Sequence, residues 1–132
     1  MTYKALVRRA LAARVHSYSP FSRFRVGAAL LTTRGKIYTG CNIESSSYGL
    51  TICAERTAIF KAISEGEKKF KALAVVSDHR SYTPPCGACR QVIMDLAGDI
   101  DLVMGKSNGE FQVKKMRDLL PHPFTAHNLE ER

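Results

Sequence analysis

The chain has 132 residues, 45% hydrophobic and 24% charged, with a net charge of +8. This balance describes one globular domain large enough for a sizeable core and excludes a disordered or fibrous chain. No apolar run approaches the roughly 18 residues of a membrane span, and Met1-Thr2-Tyr3-Lys4 leads into an amphipathic stretch instead of a signal-peptide core.

The expected location is therefore cytoplasmic, where four cysteines read as reduced thiols and metal ligands, not as a disulfide framework. The positive charge pulls toward nucleic acid. Its basic residues are scattered, however, as in Arg8-Arg9, Lys68-Lys69, Lys71 and Lys114-Lys115, with no interleaved stacking aromatics. They read as solvated surface, and neither nucleic acid nor membrane is an expected partner.

Residues 2–16 carry Ala5, Leu6, Leu11, Ala12 and Val15 near helical spacing, which predicts a covering helix. Tyr18–Arg23, with Pro20, breaks it, and His16 falls at its C-terminal end. Val26–Thr32 is an apolar run of strand length, and the turn Thr33–Lys36 leads into Ile37–Asn42 as the second arm of a hairpin. Gly27, Ala28 and Ala29 predict an element packed closely on the first arm, which the second helix would supply. A polar loop, Glu44–Thr51, precedes that helix, which runs from Cys53 to about Ser64 and stops at Glu65-Gly66-Glu67. A strand over Ala72–Ser77, a loop over Asp78–Thr83 and a third helix continuing through Gln91–Leu96 follow. Ile100–Met104 and Phe111–Val113 form a second hairpin with Asn108-Gly109 at its tip. A short helix over Lys114–Leu120 ends before Pro121. The order β-β-α-β-α-β-β predicts a single α/β domain over 1–132, a three-layer α/β/α sandwich around one mixed five-stranded sheet.

Two stretches organise this chain: Cys53-Ala54-Glu55 and Pro85-Cys86-Gly87-Ala88-Cys89. A catalytic zinc ion usually takes three protein ligands and keeps the fourth position for water, and Cys53, Cys86 and Cys89 make three. If Cys53 opens a helix, Glu55 points away from its face and stays free to carry protons. Both halves stand at predicted helix starts, where the helix dipole favours thiolates. Three thiolates on Zn²⁺ leave a formal charge of −1, which the dipoles and a neighbouring Arg56 offset. Two other readings stand beside this one: Cys86 and Cys89 as a redox pair, and a closed structural zinc site with Cys41 as fourth ligand. The redox pair leaves Cys53 and Glu55 without a purpose. Cys41 lies in a predicted strand and reads as a small buried apolar residue.

The two stretches match the zinc-deaminase signature of Cys-x-Glu followed by Pro-Cys-x-x-Cys. Together with Phe24–Leu30, Gly40–Glu44, Cys53–Ala58 and Cys86–Gln91, they make nearly the whole chain resemble the small homotetrameric zinc-dependent cytidine deaminases. The resemblance implies one Zn²⁺ per chain on Cys53, Cys86 and Cys89, with Glu55 as the catalytic proton shuttle. It implies hydrolysis of cytidine and 2′-deoxycytidine to the uridines and ammonia, as in pyrimidine salvage. Phe24 would line the nucleoside pocket, Asn42 and Glu44 would hold the ribose hydroxyls, and the Ala54 N–H would face the base O2. Phe124 would reach into a neighbouring subunit and stack on the pyrimidine. The residues alone favour plainer readings, with Asn42 as a strand-end cap, Glu44 as a solvated charge and Phe124 as an anchoring aromatic in a surface tail, and it is the resemblance that reverses this. Pro84 departs from the family, which usually has Ser or Thr there; it preserves a backbone carbonyl and loses any side-chain role.

The rival readings are a deaminase of a modified nucleoside such as blasticidin S, a polynucleotide-binding or editing protein, and a zinc-stabilised module without catalysis. Phe24, Asn42 and Glu44 favour the plain nucleoside.

Overall fold

A computed structural model describes residues 1–130; the end of the expected domain at residue 132 lies outside the described residues. In chain order the elements are α1 (Tyr3–Arg14), β1 (Val26–Thr32), β2 (Ile37–Cys41), α2 (Ala54–Ser64), β3 (Phe70–Ser77), α3 (Gly87–Leu96), β4 (Asp101–Gly105), β5 (Phe111–Lys115), α4 (Met116–Leu119) and α5 (Ala126–Glu130). A 3₁₀ turn over Tyr48–Leu50 interrupts the loop before α2.

The strands form one mixed sheet in the order β2-β1-β3-β4-β5. β1 runs antiparallel to both β2 and β3, β4 is antiparallel to β5, and β3 and β4 are parallel. A parallel pair needs a crossover, and α3 provides it. Side chains alternate across a strand, so β1 and β3 feed two cores. Ala28, Leu30, Leu73 and Val75 pack with Ala54, Ala58 and Ile59 of α2 and with Cys89 and Ile93 of α3. Ala29, Leu31, Ala72, Ala74 and Val76 pack with Leu6, Val7 and Ala10 of α1. Both faces of the central strands are covered, which is why their sequences are nearly continuous apolar runs. The result is the expected three-layer sandwich.

Several local expectations change. The face α1 buries is Leu6, Val7, Ala10 and Ala13, while Val15 is 65% exposed. The reason is close approach: a Cβ on Gly27 would stand 2.0 Å from the Ala10 carbonyl oxygen and 2.6 Å from the Arg14 nitrogen, so the backbone of α1 from Ala10 to Arg14 rests directly on β1. The element packed on Gly27 is thus α1, not the second helix. That helix, α2, uses Gly40 instead, where a Cβ would lie 2.6 Å from the Ala58 nitrogen and 2.7 Å from the Ala54 oxygen. Lys114 and Lys115, expected in a helix, pair in β5 opposite Leu102 and Asp101, and the Lys115 Nζ lies 2.6 Å from an Asp101 carboxylate oxygen. Sheet pairing with that charge contact leaves α4 only Met116–Leu119. Cys41 is half-buried at the end of edge strand β2, not sealed in the core. Among the described residues, no helix is long and apolar enough to cross a membrane.

Candidate active site

The first turns of α2 and α3 meet on one face of the sheet. Cys53 is the residue that caps α2, and Cys86 caps α3 with its sulfur accepting the Cys89 N–H at 3.4 Å. Gly40 lets α2 lie directly on β2, which sets the height of its first turn. The Cys53 and Cys86 sulfurs are 3.7 Å apart, and the sulfurs of Cys53, Cys86 and Cys89 all lie within 4.8 Å of one another. Tetrahedral zinc–thiolate bonds of about 2.3 Å place sulfurs about 3.8 Å apart, so the donor set fits Zn²⁺. Among the described residues Cys41 does not belong to this group, which removes the four-cysteine reading.

The thiols are electrostatically uneven. A hydrogen bond from the Cys89 thiol, aided by the Arg56 guanidinium, pulls Cys53 down to about 5. Sharing that proton, together with burial, pushes Cys89 up. Arg56 Nη2 lies 3.4 Å from the Cys53 sulfur and donates to the Thr51 carbonyl at 3.4 Å, while its buried Nε has no hydrogen-bond partner among the described residues. A cation beside the sulfurs offsets the surplus negative charge of three thiolates. Glu55, one residue past Ala54 in the first turn of α2, is 4% exposed. Burial pushes its carboxyl up to about 7, with Cys53 acting in the same direction.

A cleft of about 270 Å³ opens over the cluster. It brings together Phe24, Asn42, Glu44, Ala54, Glu55, Cys53 and Cys86, and Pro84 forms part of its wall. A larger groove of about 660 Å³ between α1 and the β4–β5 turn contains none of these residues. Asn42 is a cap and more: its Oδ1 accepts the Val26 N–H at 2.9 Å and the Ser17 hydroxyl, and its Nδ2 donates to the Phe24 carbonyl at 2.8 Å. An amide nitrogen carries two donors, so one remains for a ligand. Glu44 is not a free solvated charge. Its Oε1 accepts the Phe21 and Ser22 N–H groups at 3.0 Å each, and Oε2 accepts the Ser22 hydroxyl. The Ser22 hydroxyl and these N–H groups hold its carboxyl below the usual range. Phe124 does not line its own chain's cleft; the residue is 59% exposed, and its carbonyl accepts from Gln91 Nε2 at 2.7 Å.

Ser22, Thr51 and Thr83 also line the cleft and were not expected. Thr83 fixes the wall, its hydroxyl 2.7 Å from the Ser77 hydroxyl and its N–H donating to the Gly105 carbonyl at 3.2 Å. Isolated hydroxyls in polar loops carry no spacing signal that would have marked them.

Residues 1–106 match the family model described as the cytidine and deoxycytidylate deaminase zinc-binding region. The chain is 48% identical to a cytidine deaminase of Halalkalibacterium halodurans over 132 residues, covering 99% of this chain and 100% of that one. It is 50% identical to a probable cytidine deaminase of Dictyostelium discoideum over 115 residues, 86% of this chain and 78% of the relative. A solved structure, the cytidine deaminase of Burkholderia pseudomallei, superposes with a TM-score of 0.91 at 46% identity, over 94% of this chain and 100% of that one.

Proposed function

The chain belongs to the cytidine and deoxycytidylate deaminase family of zinc-dependent hydrolytic deaminases, and on that premise we propose that its single domain releases ammonia from cytidine and 2′-deoxycytidine, leaving uridine and 2′-deoxyuridine. The observation that carries this reading is a buried carboxyl, Glu55, beside three clustered thiols under a cleft of nucleoside-like dimensions.

Cys53, Cys86 and Cys89 hold the zinc, which when bound supplies Lewis-acid activation of water for attack at C4. Glu55 would take one proton from the attacking water and place it on N3, which makes C4 electrophilic; once the C4–O bond has formed, it would take the proton of the new C4 hydroxyl and pass it to the amino group, so that the C4–N bond breaks and ammonia leaves a C4 carbonyl. The Ala54 N–H binds the base O2. Phe24 flanks the nucleoside, and the spare Asn42 N–H and the free lone pairs of Glu44 bind the ribose hydroxyls. Arg56 compensates the charge of the thiolates.

Phe124 closes the cleft of a neighbouring copy in a homotetramer. An exposed apolar group beside the cleft supports such a contact: Tyr18, Phe21, Ile43, Tyr48 and Leu50 are each at least 46% exposed, with Phe21 and Tyr48 edge to face at 6.2 Å. Patches of this kind mark association surfaces. A cleft closed by another copy admits a free nucleoside and excludes a polynucleotide. The thiol cluster also suits the reducing cytoplasm.

Ultraviolet absorbance loss tests the reading on metal-quantified protein with cytidine, deoxycytidine, cytosine, CMP and a short single-stranded oligonucleotide. Loss is expected with the two nucleosides only, with light scattering giving four chains per particle. Deamination of the oligonucleotide, or inertness toward both nucleosides at full zinc loading, would overturn it.

A further inference from the structure

We propose that Arg90 and Gln91 are positioning residues that fasten the C-terminal strap, residues 119–124, to the metal-binding helix and so present Phe124 in a fixed pose. The proposal rests on the reading of Phe124 as the group that closes a neighbouring copy's cleft.

Arg90 and Gln91 follow Cys89 directly in α3. Arg90 Nε donates to the Pro85 carbonyl at 2.9 Å, and Nη1 donates to the Leu119 carbonyl at 3.0 Å. One planar guanidinium thereby ties the residue before Cys86 to the last residue of α4. Its rigid fork suits two acceptors at once, where an ammonium offers a single point of charge. Gln91 holds the other end of the strap through the Phe124 carbonyl. Adjacent residues of one helix thus clamp both ends of a six-residue segment.

The interior of the strap is restricted as well. Pro121 and Pro123 fix φ at two positions and keep the residues before them out of helical conformation. His122 between them sits at φ 52°, a left-handed conformation that costs a residue with a Cβ. Leu119, at the near end, packs on the core. The ring at the far end gains little from this order, since Phe124 is 59% exposed. Ordering an aromatic without burying it in its own chain lowers the cost of docking it elsewhere. The same helix start therefore places two of the three metal ligands of one site and the aromatic offered to the next.

The test is steady-state kinetics with cytidine for Phe124→Ala, Gln91→Ala, Gln91→Glu, Arg90→Lys and the double variant Gln91→Ala with Phe124→Ala, with zinc per chain and particle mass measured throughout. Gln91→Glu keeps the shape and removes the donor. Phe124→Ala is expected to raise KM. Both Gln91 variants should raise KM about fivefold, the loss of one hydrogen bond, with a smaller change in kcat and with zinc and mass unchanged. Arg90→Lys should act in the same direction. The double variant should match Phe124→Ala alone, because the anchor works only through the ring. If Phe124→Ala raises KM while the Gln91 and Arg90 variants do not, the anchor is wrong and the reading of Phe124 survives. If Phe124→Ala leaves KM unchanged, that reading fails and the proposal with it. A KM change that tracks loss of zinc or of subunits would also overturn the proposal.

Discussion

The Cys53 sulfur stands 3.7 Å from the Cys86 sulfur, although 32 residues separate them in the chain. Each belongs to the cap of a different helix, so the pair forms only when α2 and α3 dock on the same face of the sheet. Metal binding and folding are therefore linked. Free zinc at 100 times its Kd stabilises the folded chain by about 2.7 kcal/mol, on the order of 10 °C in Tm for a chain of this size. Thermal unfolding with and without a chelator measures the shift. Identical midpoints would mean that the folded cysteines hold no ion.

Glu55→Gln separates chemistry from structure. The amide matches the shape of the carboxyl but cannot shuttle a proton, and general acid–base catalysis contributes about 10²- to 10⁴-fold in rate. A loss of kcat in that range is expected, with zinc content unchanged. Replacing a 4%-exposed carboxyl by a neutral group also removes a desolvation cost, so Tm should hold or rise. An active variant with full zinc would remove Glu55 from the mechanism.

Two glycines distinguish packing that supports the site from packing that supports only the fold. A methyl at Gly40 meets the Ala54 oxygen and the Ala58 nitrogen in α2; a methyl at Gly27 meets the Ala10 oxygen in α1. Either Gly→Ala change overpacks a helix against the sheet and should cost on the order of 1–3 kcal/mol. Only Gly40→Ala displaces the turn that carries Cys53 and Glu55. It should weaken zinc binding in a competition titration, whereas Gly27→Ala should lower Tm and leave zinc affinity near normal. Equal zinc affinity in the two variants would show that α2 can shift without moving its cysteine.

These cases also show what was readable in advance. Cys53, Glu55, Cys86 and Cys89 are legible because metal chemistry restricts residue type and because each half opens a segment of good helix formers. The layering is legible because strands covered on both faces must be apolar throughout. The inward face of α1 is not, since Ala10 and Ala12 look alike until Gly27 selects which one approaches the sheet. The short α5 and the 3₁₀ turn fall in tail and loop segments too brief for any periodicity. Ser22, which clamps Glu44, is an ordinary loop serine until tertiary structure places the carboxylate against it. Glu67 is the sharpest case: it reads as part of a polar helix stop, yet it is 6% exposed.

That buried carboxylate yields a pH prediction. Both Glu67 oxygens lie 2.8 Å from Arg34 Nη2, and Oε2 also accepts the Tyr38 hydroxyl at 2.9 Å. The Arg34 and then the Tyr38 hydrogen bonds hold the Glu67 carboxyl below its usual range. A carboxyl whose folded pKa is depressed contributes stability above its unfolded pKa, near 4.3, and loses it as pH falls through the lower folded value. Asp78 and Asp101, held down first by hydrogen bonds from Arg25 and Lys115 respectively, act with the same sign. Glu67→Gln keeps the shape and an acceptor oxygen but removes the charge. Urea unfolding of the chain and of this variant from pH 3 to 8 should show the variant less stable at neutral pH, with the gap closing below about pH 4. A gap that stays constant across that range would mean that packing around Tyr38, not the ionised carboxylate, is what Glu67 contributes.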